Sequence, residues 1–186
     1  MPVVCDIDTD GGSWTVIQRR LNGDIDFYRD WETYKNGFGD LNGDFWIGNE
    51  MLHNLTKTPR VLRIELESWE NLTAFAEYST FQVGSESEMY QLHLSGFSGS
   101  VSFDSMAHVN GNYFGTSDRD NDNYGGSCAE FHGSGWWFNA CSLAILNGPY
   151  RFITDTIVYS DKTAYWYDFP PYTTRYPLKK TRMMLR

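Results

Sequence analysis

Residues 118–141 read DRDNDNYGGSCAEFHGSGWWFNAC, and this stretch limits the fold more than any other. Asp and Asn favour turns, and paired glycines interrupt helices and strands alike. Asp118, Asp120 and Asp122 stand at alternate positions, with Asn121 and Asn123 between and after them, followed by Tyr124, Gly125 and Gly126. So many oxygen donors on a non-helical segment suit a hard cation, since calcium takes about six to eight oxygens from carboxylates, carbonyls and water in adaptable geometry. An acidic, solvated turn that binds nothing has the same composition, and the residues alone leave both readings open. An EF-hand loop is excluded. It needs Gly at the sixth position and Glu at the twelfth; counted from Asp118 these are Asn123 and Ala129, and Glu130 falls one place late.

With 186 residues the chain suits one sizeable domain. Aromatic residues make up 17% of it and Gly accounts for 17 positions, which together suit an irregular, loop-rich α+β domain with an aromatic core. A net charge of −9 repels phosphate backbones, which argues against a nucleic-acid partner. The cluster Lys179, Lys180, Arg182 and Arg186 is a local exception, expected as a solvated strand face and tail. No run approaches the roughly 20 apolar residues that span a bilayer. The opening MPVVCDIDTD has neither the basic nor the apolar region of a leader. Asn54-Leu55-Thr56 and Asn71-Leu72-Thr73 are N-glycosylation acceptors in form, as in a secreted chain.

Short elements precede the irregular part. Residues 13–20 read as a strand, and Asn22-Gly23 is a hairpin signal. Residues 30–38 predict a short helix capped by Asp30 and ended by Gly37; Asn42-Gly43 marks a turn, and residues 49–55 a second helix around Met51 and Leu52. Trp14, Phe27, Trp31, Phe38, Phe45 and Trp46 are expected in the core. Alternation predicts strands around Leu62, Ile64 and Leu66, over residues 75–83, and at Tyr90, Leu92 and Leu94. From Gly96 the periodicity fades, and a long irregular stretch of this kind is either disordered or functional.

Several motifs in one order carry a resemblance. CDIDTDGGSWTVIQRR (residues 5–20), DFYRDWETYKNGFGDLNGDFWIGNE (26–50), the acidic stretch, LNGPY (146–150) and YPLKKTRMMLR (176–186) resemble the fibrinogen-related domain of fibrinogen chains, ficolins, fibroleukin and angiopoietin-like proteins. Residues 150–175 match loosely. The resemblance implies an α+β fold, with a central twisted antiparallel sheet and short helices over residues 1–95. A loop-rich calcium- and ligand-binding part would follow over 96–176, and a strand returning to the sheet over 177–186. It implies a disulfide between Cys128 and Cys141, whose loop closure is worth about 3 kcal/mol. It also pairs the position of Cys5 with an upstream cysteine, so Cys5 is expected free in a domain lacking its N-terminal part.

The resemblance further implies a structural calcium ion on the side chains of Asp120 and Asp122 and the carbonyls of Tyr124 and Gly126, with Asp118 outside the shell. A pocket beside the disulfide would use the backbone N–H groups of Ala140 and Cys141 across a cis peptide, with Trp136, Trp137 and Phe138 holding it. His132 and Ser142 stand where lectin-like members have Tyr and His, and Tyr159 matches a further pocket tyrosine. His132 reads equally as a buried hydrogen-bonding side chain and as a pocket wall that would respond to pH. Phe131-His132 replaces the Gln-Asp pair of the fibrin polymerisation pocket and only Asp161 matches one of its acids, so fibrin-knob binding is not expected.

No HExxH, GxSxG or phosphate loop is present, and His53, His93, His108 and His132 show no metal spacing. The chain is read as non-enzymatic. The resemblance implies a secreted, calcium-dependent module that binds glycans or acetylated groups in innate immunity. Its rival is a protein-ligand module that binds a cell-surface receptor, as in angiopoietin-like or fibroleukin-like proteins, with calcium purely structural. SGWWFNACSLA (residues 134–144) is closer to that second branch. Members of the family oligomerise through upstream segments, and multivalency strengthens weak single sites.

Overall fold

A computed structural model describes residues 2–152, 162–169, 171 and 175–186. Period-two alternation builds its spine. Strand β5 (Arg60–Glu67) turns Leu62, Ile64 and Leu66 into the core and leaves Arg63, Glu65 and Glu67 on the opposite face. Its neighbour β6 (Thr73–Val83) buries Ala76, Tyr78, Phe81 and Val83. Around this pair lie β1 (Val4–Asp6), β2 (Trp14–Arg20), β3 (Phe38–Gly39), β4 (Phe45–Trp46), β7 (Leu92–Gly99) and β12 (Lys180–Leu185). The eight strands form one antiparallel sheet in the order β3-β4-β2-β12-β5-β6-β7, with β1 also paired to β2. The last strand therefore lies inside the sheet. Met183 is opposite Gln18 on one side and Ile64 on the other.

Two helices cover the inner face. In α1 (Trp31–Asn36) Asp30 caps the N-terminus by accepting from Thr33 N, and Gly37 leaves the last turn at φ 85°. Helix α2 (Asn49–Leu55) buries Asn49 and Leu52. Trp31, Tyr34, Trp46, Tyr90, Phe114 and Trp137 interlock between helices and sheet, with Phe114 edge-on to Trp137 at 5.3 Å and Trp31 stacked on Tyr90 at 5.4 Å. The second half of the chain adds α3 (Cys128–His132) and two small sheets, β8 (Phe114–Gly115) with β9 (Trp136–Trp137) and β10 (Ala144–Ile145) with β11 (Tyr165–Trp166).

Four expectations need correction. Asn22-Gly23 makes no hairpin: Asp44 takes the amides of Leu21, Asn22 and Gly23 at 2.6, 3.1 and 2.9 Å and turns the chain away from β2. Tyr90 precedes its strand, at φ 49° with its ring buried. Strand β7 runs on to Gly99, past the point where side-chain periodicity fades, because the backbone ladder with β6 continues to the pair Ala76 and Gly99. The basic cluster is paired rather than merely solvated. Lys179 and Lys180 meet Glu67 at 3.1 and 3.0 Å, Arg182 meets Glu65 and Asp6, and Arg186 lies 4.4 Å over Trp14.

One buried joint ties the sheet to the functional half. Arg20 and Asp44 are 2% and 0% exposed and approach to 3.6 Å. The guanidinium also donates to the Gly148 carbonyl at 2.6 Å and stacks 4.0 Å over Phe27. Beside it, Gln18 donates to Leu146 O and Asn147 Oδ1, and Asn147 donates to Gly135 O.

Candidate functional site

Side chains, rather than ladders, order the acidic stretch. Asp118 lies outside the candidate cation set and fastens the loop to α1, accepting from Trp31 N at 2.9 Å and from Thr116 Oγ1 at 2.7 Å. Asn121 donates to Phe114 O at 2.8 Å. Asn123 donates through its amide to Asn139 O at 3.0 Å, and through its side chain to Asn112 and Asn139. Ser127 caps α3 by accepting from Glu130 N at 3.1 Å. Cys128, at the start of that helix, is bonded to Cys141 with an S–S distance of 2.08 Å and a Cα–Cα distance of 5.6 Å. Cys5 is exposed and free.

Asp120 and Asp122 are neighbours: Asp122 N reaches Asp120 Oδ1 at 3.3 Å. Asp122 accepts from Tyr124 N on one oxygen and from Cys128 N on the other, both at 2.8 Å. Burial raises the Asp122 carboxyl above the usual aspartate range and the adjoining Asp120 raises it further, against the two amides. Among the described residues no Lys or Arg pairs with either acid. Two adjoining carboxylates with no Lys or Arg pairing them among the described residues fit an oxygen-loving divalent cation. No cluster of three or more His, Cys, Asp or Glu forms among the described residues, so backbone carbonyls and water would have to complete the shell.

Next to this loop lies a cleft of about 190 Å³ lined by Tyr124, Phe131, His132, Ala140, Cys141, Ser142 and Arg175. It brings together four of the five ligand residues expected from sequence, His132, Ala140, Cys141 and Ser142. The fifth, Tyr159, lies outside the described residues, as does Asp161. The Ala140–Cys141 peptide is cis. His132 is both buried and part of the cleft lining. Its ring is 3% exposed, stacked on Phe138 at 5.8 Å and edge-on to Phe131 at 4.9 Å, yet it forms part of the cleft wall. Ser142 is committed to its own turn, donating to Ala144 O at 2.6 Å and accepting from Ala144 N at 3.1 Å.

Sequence reasoning missed three contributors. The rings of Tyr124 and Phe131 stand exposed at the mouth, at 56% and 49%; two aromatics among polar loop residues were the available signal. Arg175 comes from the loosely matched segment and carried none.

All of residues 1–186 match the family described as fibrinogen beta and gamma chains, C-terminal globular domain. The chain belongs to that family. This fibrinogen-type domain is 43% identical to mouse angiopoietin-related protein 7 over 186 residues, covering 100% of the chain and 54% of that relative. It is 44% identical to bovine angiopoietin-4 over 185 residues, covering 99% of the chain and 36% of the relative. The domain thus spans about half the length, or less, of these relatives. The fibrinogen-like globe domain of human ANGPTL2 superposes with a TM-score of 0.93 at 42% identity, over 99% of this chain and 84% of that one. A lamprey fibrin D-dimer, complexed with the peptide ligand Gly-His-Arg-Pro-amide, gives 0.85 at 39% identity over 98% and 63%. Fibrinogen-type domains of this kind are non-enzymatic ligand-binding modules. A disulfide of this kind persists in oxidising compartments, the extracellular space among them, and no helix among the described residues is long and apolar enough to cross a membrane.

Proposed function

We propose that this domain is the partner-binding module of a secreted angiopoietin-like protein and that it takes a protein ligand at the cleft beside the Cys128–Cys141 loop. The rim of the cleft carries this reading: Tyr124 and Phe131 are exposed side by side with the wall residue His132, and aromatic anchors of this kind dominate protein interfaces. Ser142 spends its hydroxyl on Ala144, leaving fewer polar groups for a sugar. The angiopoietin-type relatives point the same way. So does the peptide ligand of the lamprey fibrin relative, transferred here as a ligand class only.

Calcium would be held by the Asp120 and Asp122 carboxylates with the carbonyls of Tyr124 and Gly126. It would neutralise the two acids and fix the loop that carries the Tyr124 ring. Recognition of glycans or acetylated groups is the second reading, favoured by Ala140 and Cys141 in the lining.

One experiment separates the two. The oligomerised domain is applied to cells, with calcium or chelator, with and without N-acetylated sugars, and before and after surface proteolysis. Binding that is lost on proteolysis and indifferent to the sugars supports the protein ligand. Binding that survives proteolysis and is competed by the sugars establishes the second reading instead.

A further inference from the structure

The two Asn-x-Thr acceptors fold into opposite settings. Asn54 lies in α2, where its Nδ2 donates to the Glu50 carbonyl at 2.8 Å and to Glu50 Oε1 at 3.4 Å. The nitrogen that would carry a sugar is thus held by the helix. Its partner Thr56 is buried, donating to Leu52 O at 2.7 Å and accepting from Val83 N at 3.0 Å. Thr56 follows the last residue of α2 and turns its hydroxyl inward, whereas Asn54 faces solvent, so amide and hydroxyl share no face.

Asn71 sits in the tight turn between β5 and β6. Asn71 N donates to Ser68 O at 3.0 Å and Ser68 N donates to Leu72 O at 2.9 Å, which closes the turn. Asn71 takes the left-handed conformation at φ 62°, which Asn tolerates better than most residues. Asn71, Leu72 and Thr73 are all exposed. Lys179 Nζ contacts the Asn71 side chain, and an ammonium can only donate, so it holds the Oδ1 end. Nδ2 has no protein acceptor among the described residues. An acceptor sequon belongs on such a surface turn of a secreted protein.

We propose that Asn71 carries an N-linked glycan and that Asn54 does not. The donor is a lipid-linked pyrophosphoryl oligosaccharide. The Asn71 nitrogen forms a bond to the anomeric carbon, the carbon–oxygen bond to pyrophosphate breaks, the lipid pyrophosphate leaves with the electron pair, and the amide nitrogen gives up one proton. The glycan stands two residues from Thr73, which with Glu67 and Lys180 helps to line a groove of about 720 Å³ on the outer face of the sheet. It therefore shields the β5–β6 end and leaves the Tyr124–Phe131 rim bare. This inference needs passage through the secretory route but not the ligand assignment above.

The test is expression of the chain behind a secretion leader in a eukaryotic cell, followed by peptide mapping of the total protein, intracellular pool included. Peptide-N-glycosidase converts a glycan-bearing Asn to Asp, which marks the site. The expected result is conversion at Asn71 and none at Asn54. Asn71→Gln and Thr73→Ala each remove the whole glycan mass, and Asn54→Gln removes nothing. An unmodified Asn71, or a glycan on Asn54, overturns the proposal.

Discussion

Asp44 meets four groups at once: the Arg20 guanidinium and the amides of Leu21, Asn22 and Gly23. Removing the carboxylate leaves a buried cation with no partner of opposite charge, which costs about 3–5 kcal/mol. Asp44→Ala is therefore expected to lower unfolding free energy in urea by that amount; a loss below about 1 kcal/mol would show the joint to be redundant. The sequence gives no hint of this role, because GDLNGDFW reads only as a turn and the partner Arg20 lies on another strand. Side chains paired by local spacing, such as the adjoining Asp120 and Asp122, were legible as neighbours; those whose meaning depends on a distant strand were not. Phe131 allows a second prediction. It is 49% exposed and contacts His132 and Lys162. Phe131→Ala should shift stability by no more than about 0.5 kcal/mol while weakening protein-ligand binding about tenfold or more, read by melting and by surface binding in parallel. Unchanged binding would take this rim out of the interface.

The Cys128–Cys141 disulfide braces the loop around α3, the proposed calcium ion would brace it a second time, and each can be removed separately. The proposed site predicts a calcium-dependent rise in melting temperature that disappears with Asp120→Ala and Asp122→Ala together; no rise in the parent domain, or one that persists in the variant, would overturn the assignment. Replacing Cys128 and Cys141 by Ser should cost about 3 kcal/mol in urea unfolding, from the freed loop. The β5–β12 pair is expected to weaken in acid. Burial alone would raise the Glu67 carboxyl, but hydrogen bonds from Lys180 and Lys179 outweigh it and hold the group below the usual glutamate range. A depressed folded value means the stabilisation is complete above the unfolded value and is lost as pH falls through the folded one. The loss should amount to about 1 kcal/mol or less, since the partners are partly exposed. Melting curves between about pH 5 and pH 3 check it: Glu67→Gln should flatten the slope in that window, and an unchanged slope would assign the acid sensitivity to other carboxylates.

At the scale of the molecule, the long strands were legible because alternation writes one face of β5 and β6 into their residues. The two-residue strands β3, β4 and β8–β11 are too short to show any period and exist only through their partners. Sheet order was illegible for the same reason: which edge a strand joins depends on side chains far along the chain. The loop-rich half was legible as a resemblance, while its internal order, a web of Asn and Asp bonds to backbone, needed coordinates. Strand β12 has one more consequence. It sits between β2 and β5, so both inner edges stay open until the ribosome has released residues 180–185. Strands made early must wait for β12, and a nascent chain stopped short of it presents two unpaired edges to other chains. Closure of the sheet is thus all-or-none with respect to residues 180–185.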